Sequence, residues 1–316
     1  MDLPIEIVSR LKQLNNAVQE LGTSRSIAID TEANSRHRYP EQLCLIQLAT
    51  PDKIFLVDTI YIRETTPLNN LFLDSSIIKV FHTADYDIRS LARHLRFQVH
   101  GVFDIAIAAR FIGITKFALS TLVEDWLGLT IEKNTKIQKA DWGKRPLSAE
   151  ALEYAANDVR YLLELRNIME TKLGELGRLE WVIEECARLE ELRYEPTDPE
   201  TAYLSVKGAS KLDGKSLAML KVLFKFREQE ASHQNRPPYY IMPDSTLVHL
   251  AENPKADLVK TPGLGQTGLR RFGNSLQRAI KEGLAAPPQF TGEKMKKSVK
   301  KTENILISST INETSV

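Results

Sequence analysis

Apolar residues recur at helical spacing between residues 4 and 21, with Ile7, Leu11, Leu14 and Val18 on one face, which predicts an amphipathic helix. The next apolar run differs in kind. Within Ser26-Ile27-Ala28-Ile29-Asp30-Thr31-Glu32 two β-branched residues are followed at once by two carboxylates, the pattern of a buried strand ending at Asp30. Residues 42–49 and 53–58, separated by Thr50-Pro51-Asp52, read as hairpin partners, so three consecutive strands form an antiparallel meander. A short helix over 68–73 and a strand over 77–81 follow. That strand ends in His82-Thr83-Ala84-Asp85-Tyr86-Asp87, and a helix then carries Ile88, Leu91, Ala92 and Leu95. Residues 99–103 form a last strand, and Asp104 is placed to cap a helix over 105–111. Strands first and helices interleaved later predict an α/β fold, a mixed sheet flanked by helices.

From about 117 to 190 the pattern is wholly helical. One helix covers 118–126 and is closed by Gly128. A long one begins at Ser148 as N-cap and runs to about Leu173, ended by Gly174 or Gly177; another covers 178–193. Glu195-Pro196-Thr197-Asp198-Pro199 breaks this pattern, so 1–193 is read as one domain and 194–210 as a linker. Residues 211–286 read as a small all-helical unit. The segment 287–316, poor in large apolar residues and carrying Lys294, Lys296, Lys297, Lys300 and Lys301, is expected to be a disordered basic tail.

Composition narrows this only a little. With 42 % hydrophobic and 26 % charged residues in 316, the chain is an ordinary globular protein. A net charge of +1 sets up no global field for nucleic acid, so any basic surface is local. Two distant cysteines make neither a disulfide framework nor a zinc spacing, which fits a reducing cytoplasm. The first twenty residues have no uninterrupted apolar core, so no signal peptide is expected, and no stretch is long enough to span a membrane.

The carboxylates change the picture. Side chains two apart on a strand share a face, so Asp30 and Glu32 project together and repel. A hard divalent cation between them removes that cost; the competing account is a strand ending in a solvated acidic turn. Asp87 follows another strand end, with Asp85 nearby as a possible helix cap. Tyr154 and Asp158 lie four apart on one helix face, an arrangement that alone is compatible with a purely structural role. Together they amount to four acids from three elements, which is what two-metal phosphoryl transfer requires.

In this order, Asp30-x-Glu32, Tyr86-Asp87 and Tyr154-x-x-x-Asp158 resemble the three motifs of the DEDD exonuclease superfamily, tyrosine subtype. The resemblance is closer to the ribonuclease D family. It extends over Tyr39-Pro40-Glu41-Gln42-Leu43-Cys44-Leu45-Ile46-Gln47-Leu48, Asp141-Trp142-x-x-Arg145-Pro146-Leu147 and Tyr154 to Leu162. The unit 211–286, with Arg236-Pro237-Pro238 and Leu264-Gly265, resembles a single HRDC domain, where some family members carry two.

This resemblance implies a ribonuclease H-like fold and metal-dependent 3′-5′ hydrolysis of RNA to nucleoside monophosphates, with tRNA precursors or other structured RNA 3′ ends as substrates of a monomeric enzyme. It implies two divalent ions, Mg²⁺ or Mn²⁺, held by Asp30, Glu32, Asp87 and Asp158. Asp30, Glu32 and Asp158 would hold the ion that lowers the pKa of the attacking water; Asp30 and Asp87 would hold the one that stabilises the leaving 3′ oxygen. Tyr154 would orient that water rather than deprotonate it. Thr31, His82, Trp142 and Arg145 are assigned to substrate. For Trp142 and Arg145 the competing account is a core anchor and a partner for an acid, and for His82 a satisfied histidine at a strand end. Gly263-Leu264-Gly265-x-x-Gly268 reads as a glycine-rich turn or a weak phosphate cradle, and Lys221, Lys225 and Arg227 as a solvated helix face. Two readings compete overall: a DNA 3′-5′ exonuclease, because the chemistry does not select the sugar, and a catalytically silent nucleic-acid-binding protein. Retention of all four acids and the tyrosine argues against the second.

Overall fold

The computed structural model describes residues 3–132 and 134–289. The expected basic tail therefore lies, from residue 290 on, outside the described residues. The chain divides into two compact units, up to Glu195 and from Pro196.

The first unit is a six-stranded mixed sheet flanked by helices. Its elements are β1 (Ile5–Val8), α1 (Leu11–Leu21), β2 (Ser26–Ala33), β3 (Leu43–Ala49), β4 (Ile54–Asp58), α2 (Thr66–Leu73), β5 (Ile78–Phe81), α3 (Asp85–Leu95), β6 (Val102–Asp104), α4 (Ile105–Ile112), α5 (Leu119–Leu127), α6 (Thr135–Gln138), α7 (Ala149–Arg160), α8 (Leu162–Glu175) and α9 (Leu179–Glu190). The strand order is β1-β4-β3-β2-β5-β6. The expected meander is present, since β2, β3 and β4 pair antiparallel, while β1 joins β4 and β5 joins β2 in parallel. Every residue of β3 and β4 is buried, as a sheet covered on both faces demands.

Two expectations are corrected. Residues 4–21 are not one helix: Ile5–Val8 form an edge strand that pairs in register with Ile54–Val57, and the helix begins only at Leu11. The apolar stripe suits either element over so short a run, and pairing with β4 decides it. The long helix after Ser148 is two helices, broken at Tyr161, where φ −110° and ψ −3° depart from helical values. The break lets α7 lie across β2, β3 and β4 while α8 turns onto α4 and β5. Ser148 caps α7 as expected, its hydroxyl accepting from Ala151 N at 3.2 Å.

One side chain sets the approach to the site. Asp104 caps α4, accepting from Ala106 N at 2.7 Å and Ile107 N at 3.1 Å. The same carboxylate accepts from Thr83 N at 3.3 Å and Ala84 N at 2.7 Å, the turn that delivers α3. Thr83 has φ +68°, a backbone region that a β-branched residue occupies only when its surroundings hold it there.

The second unit contains α10 (Gly214–Gln234), α11 (Pro238–Ile241), α12 (Asp244–Glu252) and α13 (Gln266–Ala285). The stretch 194–210, read as a linker, includes 3₁₀ turns at Ala202–Ser205 and Ala209–Lys211 that bury Tyr203, Val206 and Ala209. Arg227 is not part of a solvated face. It is buried and pairs with Asp244 Oδ1 at 2.6 Å. Gly263 has φ +80°, and a Cβ there would lie 2.3 Å from Thr246 Oγ1, so the glycine answers to a tight turn.

Candidate active site

β5 stops pairing with β2 at Ala28–Val80, yet β2 runs on to Ala33 with β3 alone beside it. Asp30 and Glu32 stand on that extension and project to one face. α7 lies over the same strands and brings Asp158 to them. One carboxylate oxygen from each of Asp30, Glu32 and Asp158 lies within 4.8 Å of the others. Asp87 is not part of this triad but stands close by. It is buried in the first turn of α3, and its Oδ1 accepts from Thr31 Oγ1 at 2.5 Å. Asp85, two residues earlier, is exposed and holds Arg89 through both of its oxygens at 2.9 and 3.1 Å.

The electrostatics follow from this crowding. Burial, then the charge of Asp158, holds the Asp30 carboxyl well above the usual carboxylate range. Burial, followed by Asp30, Asp158 and Asp87, pushes Glu32 up to about 10. Burial and then Asp87 raise Asp158 to about 7. Asp87 is also raised, by burial and then Asp30, against the lowering hydrogen bond from Thr31. A carboxylate neutralised by an arginine or lysine moves in the opposite direction, so these four acids are left with each other. The donors are all oxygen and the charge is uncompensated, a set that fits hard divalent cations such as Mg²⁺ or Mn²⁺.

Tyr154 lies on the same face of α7, one turn before Asp158. Burial, then Asp158 and Glu32, raises its phenol, so it stays protonated at neutral pH. Both residues, with Asp30 and His82, line a cleft of about 320 Å³. His82 Nε2 is 2.7 Å from Phe117 O, so the ring is tied to the chain just before α5 while it faces the cleft.

Three assignments to substrate are corrected. Trp142 is only 2 % exposed and its ring centre is 6.1 Å from that of Tyr154, so it props the tyrosine from inside and no base can stack on it. The Arg145 side chain is 9 % exposed and fully engaged: with Asp58 at 2.5 and 2.8 Å, with Trp142 O at 2.7 Å and with Cys44 O at 2.9 Å. No face remains for phosphate. Thr31 turns to the opposite side of β2 from its two acidic neighbours and meets Asp87 rather than the cleft.

Two features went unread in the sequence. The cleft is also lined by Ser120 of α5 and by Ile131, Asn134, Thr135 and Gln138, a stretch in which no motif was read. Gln47 is fully buried on β3 and donates from Nε2 to Asp30 Oδ2 at 3.1 Å. A polar residue inside the apolar run Leu43–Ala49 was the available signal.

A family model described as 3′-5′ exonuclease matches residues 5–174, and one for the HRDC domain matches 216–280. The chain is 34 % identical over 270 residues to ribonuclease D of Zymomonas mobilis, covering 83 % of this chain and 68 % of that protein. This chain belongs to the ribonuclease D family. A ribonuclease D of a Shewanella strain is 33 % identical over 290 residues, covering 90 % of this chain and 74 % of the relative. Among solved structures, Escherichia coli RNase D, described as an exoribonuclease involved in structured RNA processing, superposes with a TM-score of 0.75 at 26 % identity, over 91 % of this chain and 76 % of that one. As a ribonuclease D family member the protein is a 3′-5′ exoribonuclease, with a ribonuclease H-like nuclease fold followed by an HRDC domain. The family depends on divalent metal, and the acid cluster at the end of β2 is the feature suited to it. Among the described residues, no helix is long and apolar enough to cross a membrane.

Proposed function

We propose that the protein shortens structured RNA, tRNA precursors foremost, from the 3′ end by a two-metal mechanism that releases nucleoside 5′-monophosphates. The observation that carries this reading is the convergence of Asp30, Glu32 and Asp158 within 4.8 Å, with Asp87 alongside and all four raised by burial and mutual repulsion. Asp30, Glu32 and Asp158 would hold one ion, and Asp30 with Asp87 a second. Bound there, divalent ions activate the attacking water and stabilise charge on the leaving oxygen. Tyr154, kept protonated, orients the water by hydrogen bonding. His82, fixed by Phe117 O, faces the terminal nucleotide in the cleft.

The structured-RNA substrate is supported by the description of the Escherichia coli relative. A cytoplasmic setting is supported by two buried free thiols, Cys44 and Cys186. The four acids and the tyrosine of the proposed site all come from one chain, so the site itself needs no second subunit.

Incubation with Mg²⁺ or Mn²⁺ and a 3′-tailed tRNA precursor should give stepwise shortening and mononucleotide products, abolished by EDTA. DNA of the same sequence should be degraded far more slowly. Internal cuts, or equal loss of RNA and DNA, would overturn the reading.

A further inference from the structure

Two of the four acids are each gripped by a neutral side chain. Gln47 lies directly across from Asp30 in the β2–β3 register, is fully buried, and donates from Nε2 to Asp30 Oδ2 at 3.1 Å. Thr31, 6 % exposed, donates from Oγ1 to Asp87 Oδ1 at 2.5 Å, and Asp87 is itself 5 % exposed. Gln47 is poorly suited to its surroundings in every other respect. The other six residues of its strand are Leu43, Cys44, Leu45, Ile46, Leu48 and Ala49, and its own Oε1 is buried without a hydrogen-bond partner. An amide half of which goes unmet is costly to bury, so its useful half is the contact with Asp30.

We propose that Gln47 and Thr31 are positioning residues that set the metal affinity of the site, a step that rests on the metal reading above. The reasoning is electrostatic. A carboxylate on a flexible side chain must be held still to act as a ligand, and outer hydrogen bonds do this. An arginine or lysine would hold it equally well but would neutralise it and compete with the cation. An amide or a hydroxyl fixes one oxygen and leaves the full negative charge, with the second oxygen available. The two grips act on different acids from different elements. Gln47 is set by strand pairing, and Thr31 by the side-chain alternation that places Asp30 and Glu32 on the other face of β2.

Isothermal titration of Mn²⁺ into the metal-free, full-length protein, paired with the Mn²⁺ dependence of RNA shortening, tests this. Thr31→Val and Gln47→Leu keep volume but lose the donor. Each is expected to weaken Mn²⁺ binding about 10- to 100-fold and to shift the Mn²⁺ concentration for half-maximal activity by the same factor, with KM for RNA at saturating Mn²⁺ unchanged. Thr31→Ser, which restores the hydroxyl, should return to within about threefold of the parent. If Gln47→Leu does not fold, Gln47→Met, linear and without the amide, serves in its place. Variants that melt cooperatively and bind Mn²⁺ as the parent does would reduce both residues to packing and overturn this proposal alone. A parent that shortens RNA yet binds no Mn²⁺ would overturn the metal reading and this proposal together.

Discussion

Asp85 and Asp87 are both acids in the first turn of α3, and their surroundings separate them. Asp85 is exposed with both oxygens on Arg89, while Asp87 is buried beside the triad on the hydroxyl of Thr31. Asp87→Asn should therefore lower kcat on a short RNA at least about a hundredfold, the scale of losing one electrostatic stabiliser. Asp85→Asn should stay near the parent, with melting temperatures showing that both variants fold. The raised acids also make a stability prediction. Each binds its proton more tightly folded than unfolded. Its contribution to stability is thus complete below the ordinary carboxylate range and is lost as pH rises through the folded value, about 7 for Asp158. In EDTA the melting temperature of the nuclease unit should fall between pH 5 and pH 8 by roughly 5–10 °C, and Mn²⁺ added in excess should restore it. Asp158→Asn should flatten that slope, as scanning calorimetry across the pH range would show. The acids were legible in the sequence because carboxylates at a strand end, with nothing basic among them, are unusual. Trp142 and Arg145 were not, because an aromatic and a basic residue on a loop suit RNA as well as a core. Which role they take depends on Asp58 and Tyr154, and Asp58 lies 87 residues away from Arg145 along the chain.

The segment between α6 and α7 is a strut. Arg145 ties it to the end of β4 through Asp58 and to β3 through Cys44 O, and Trp142 carries the connection to Tyr154. Asp58 is buried and the Arg145 side chain nearly so, so Arg145→Ala leaves an uncompensated Asp58 and should cost about 3–5 kcal/mol in denaturant unfolding. Arg145→Lys should recover little of this, since an ammonium cannot reproduce the forked contacts. KM for RNA should stay unchanged in whatever fraction remains folded; a rise would return Arg145 to the substrate. Trp142→Phe should be tolerated, because the indole N–H has no partner to lose. At this scale the meander, the Asp104 cap and the Ser148 cap were readable, since each is a local pattern of alternation or capping. The edge strand Ile5–Val8 and the break at Tyr161 were not. Both are imposed by packing, the first by β4 and the second by α7 spanning β3 and β4 while α8 turns onto α4 and β5.

For the whole molecule, all five residues assigned to chemistry lie before Glu195, in the first compact unit. Gly263→Ala offers a way to disturb the second unit in the intact chain, because a side chain at φ +80° would also meet Thr246, itself buried and bonded to Pro262 O at 2.7 Å. It should destabilise the helical unit by at least about 2 kcal/mol, seen as a lowered calorimetric transition, while kcat on a trinucleotide RNA stays within about twofold. The order in which the acids occur along the chain has a consequence during translation. Asp30 and Glu32 are made early, but the triad closes only when α7 has been synthesised and laid across the strands. On the proposed metal site, a nascent chain stopped just short of Asp158 should hold most of the nuclease unit and none of its activity. RNA beside the ribosome should then be safe from the enzyme until that last acid has emerged and packed against β2.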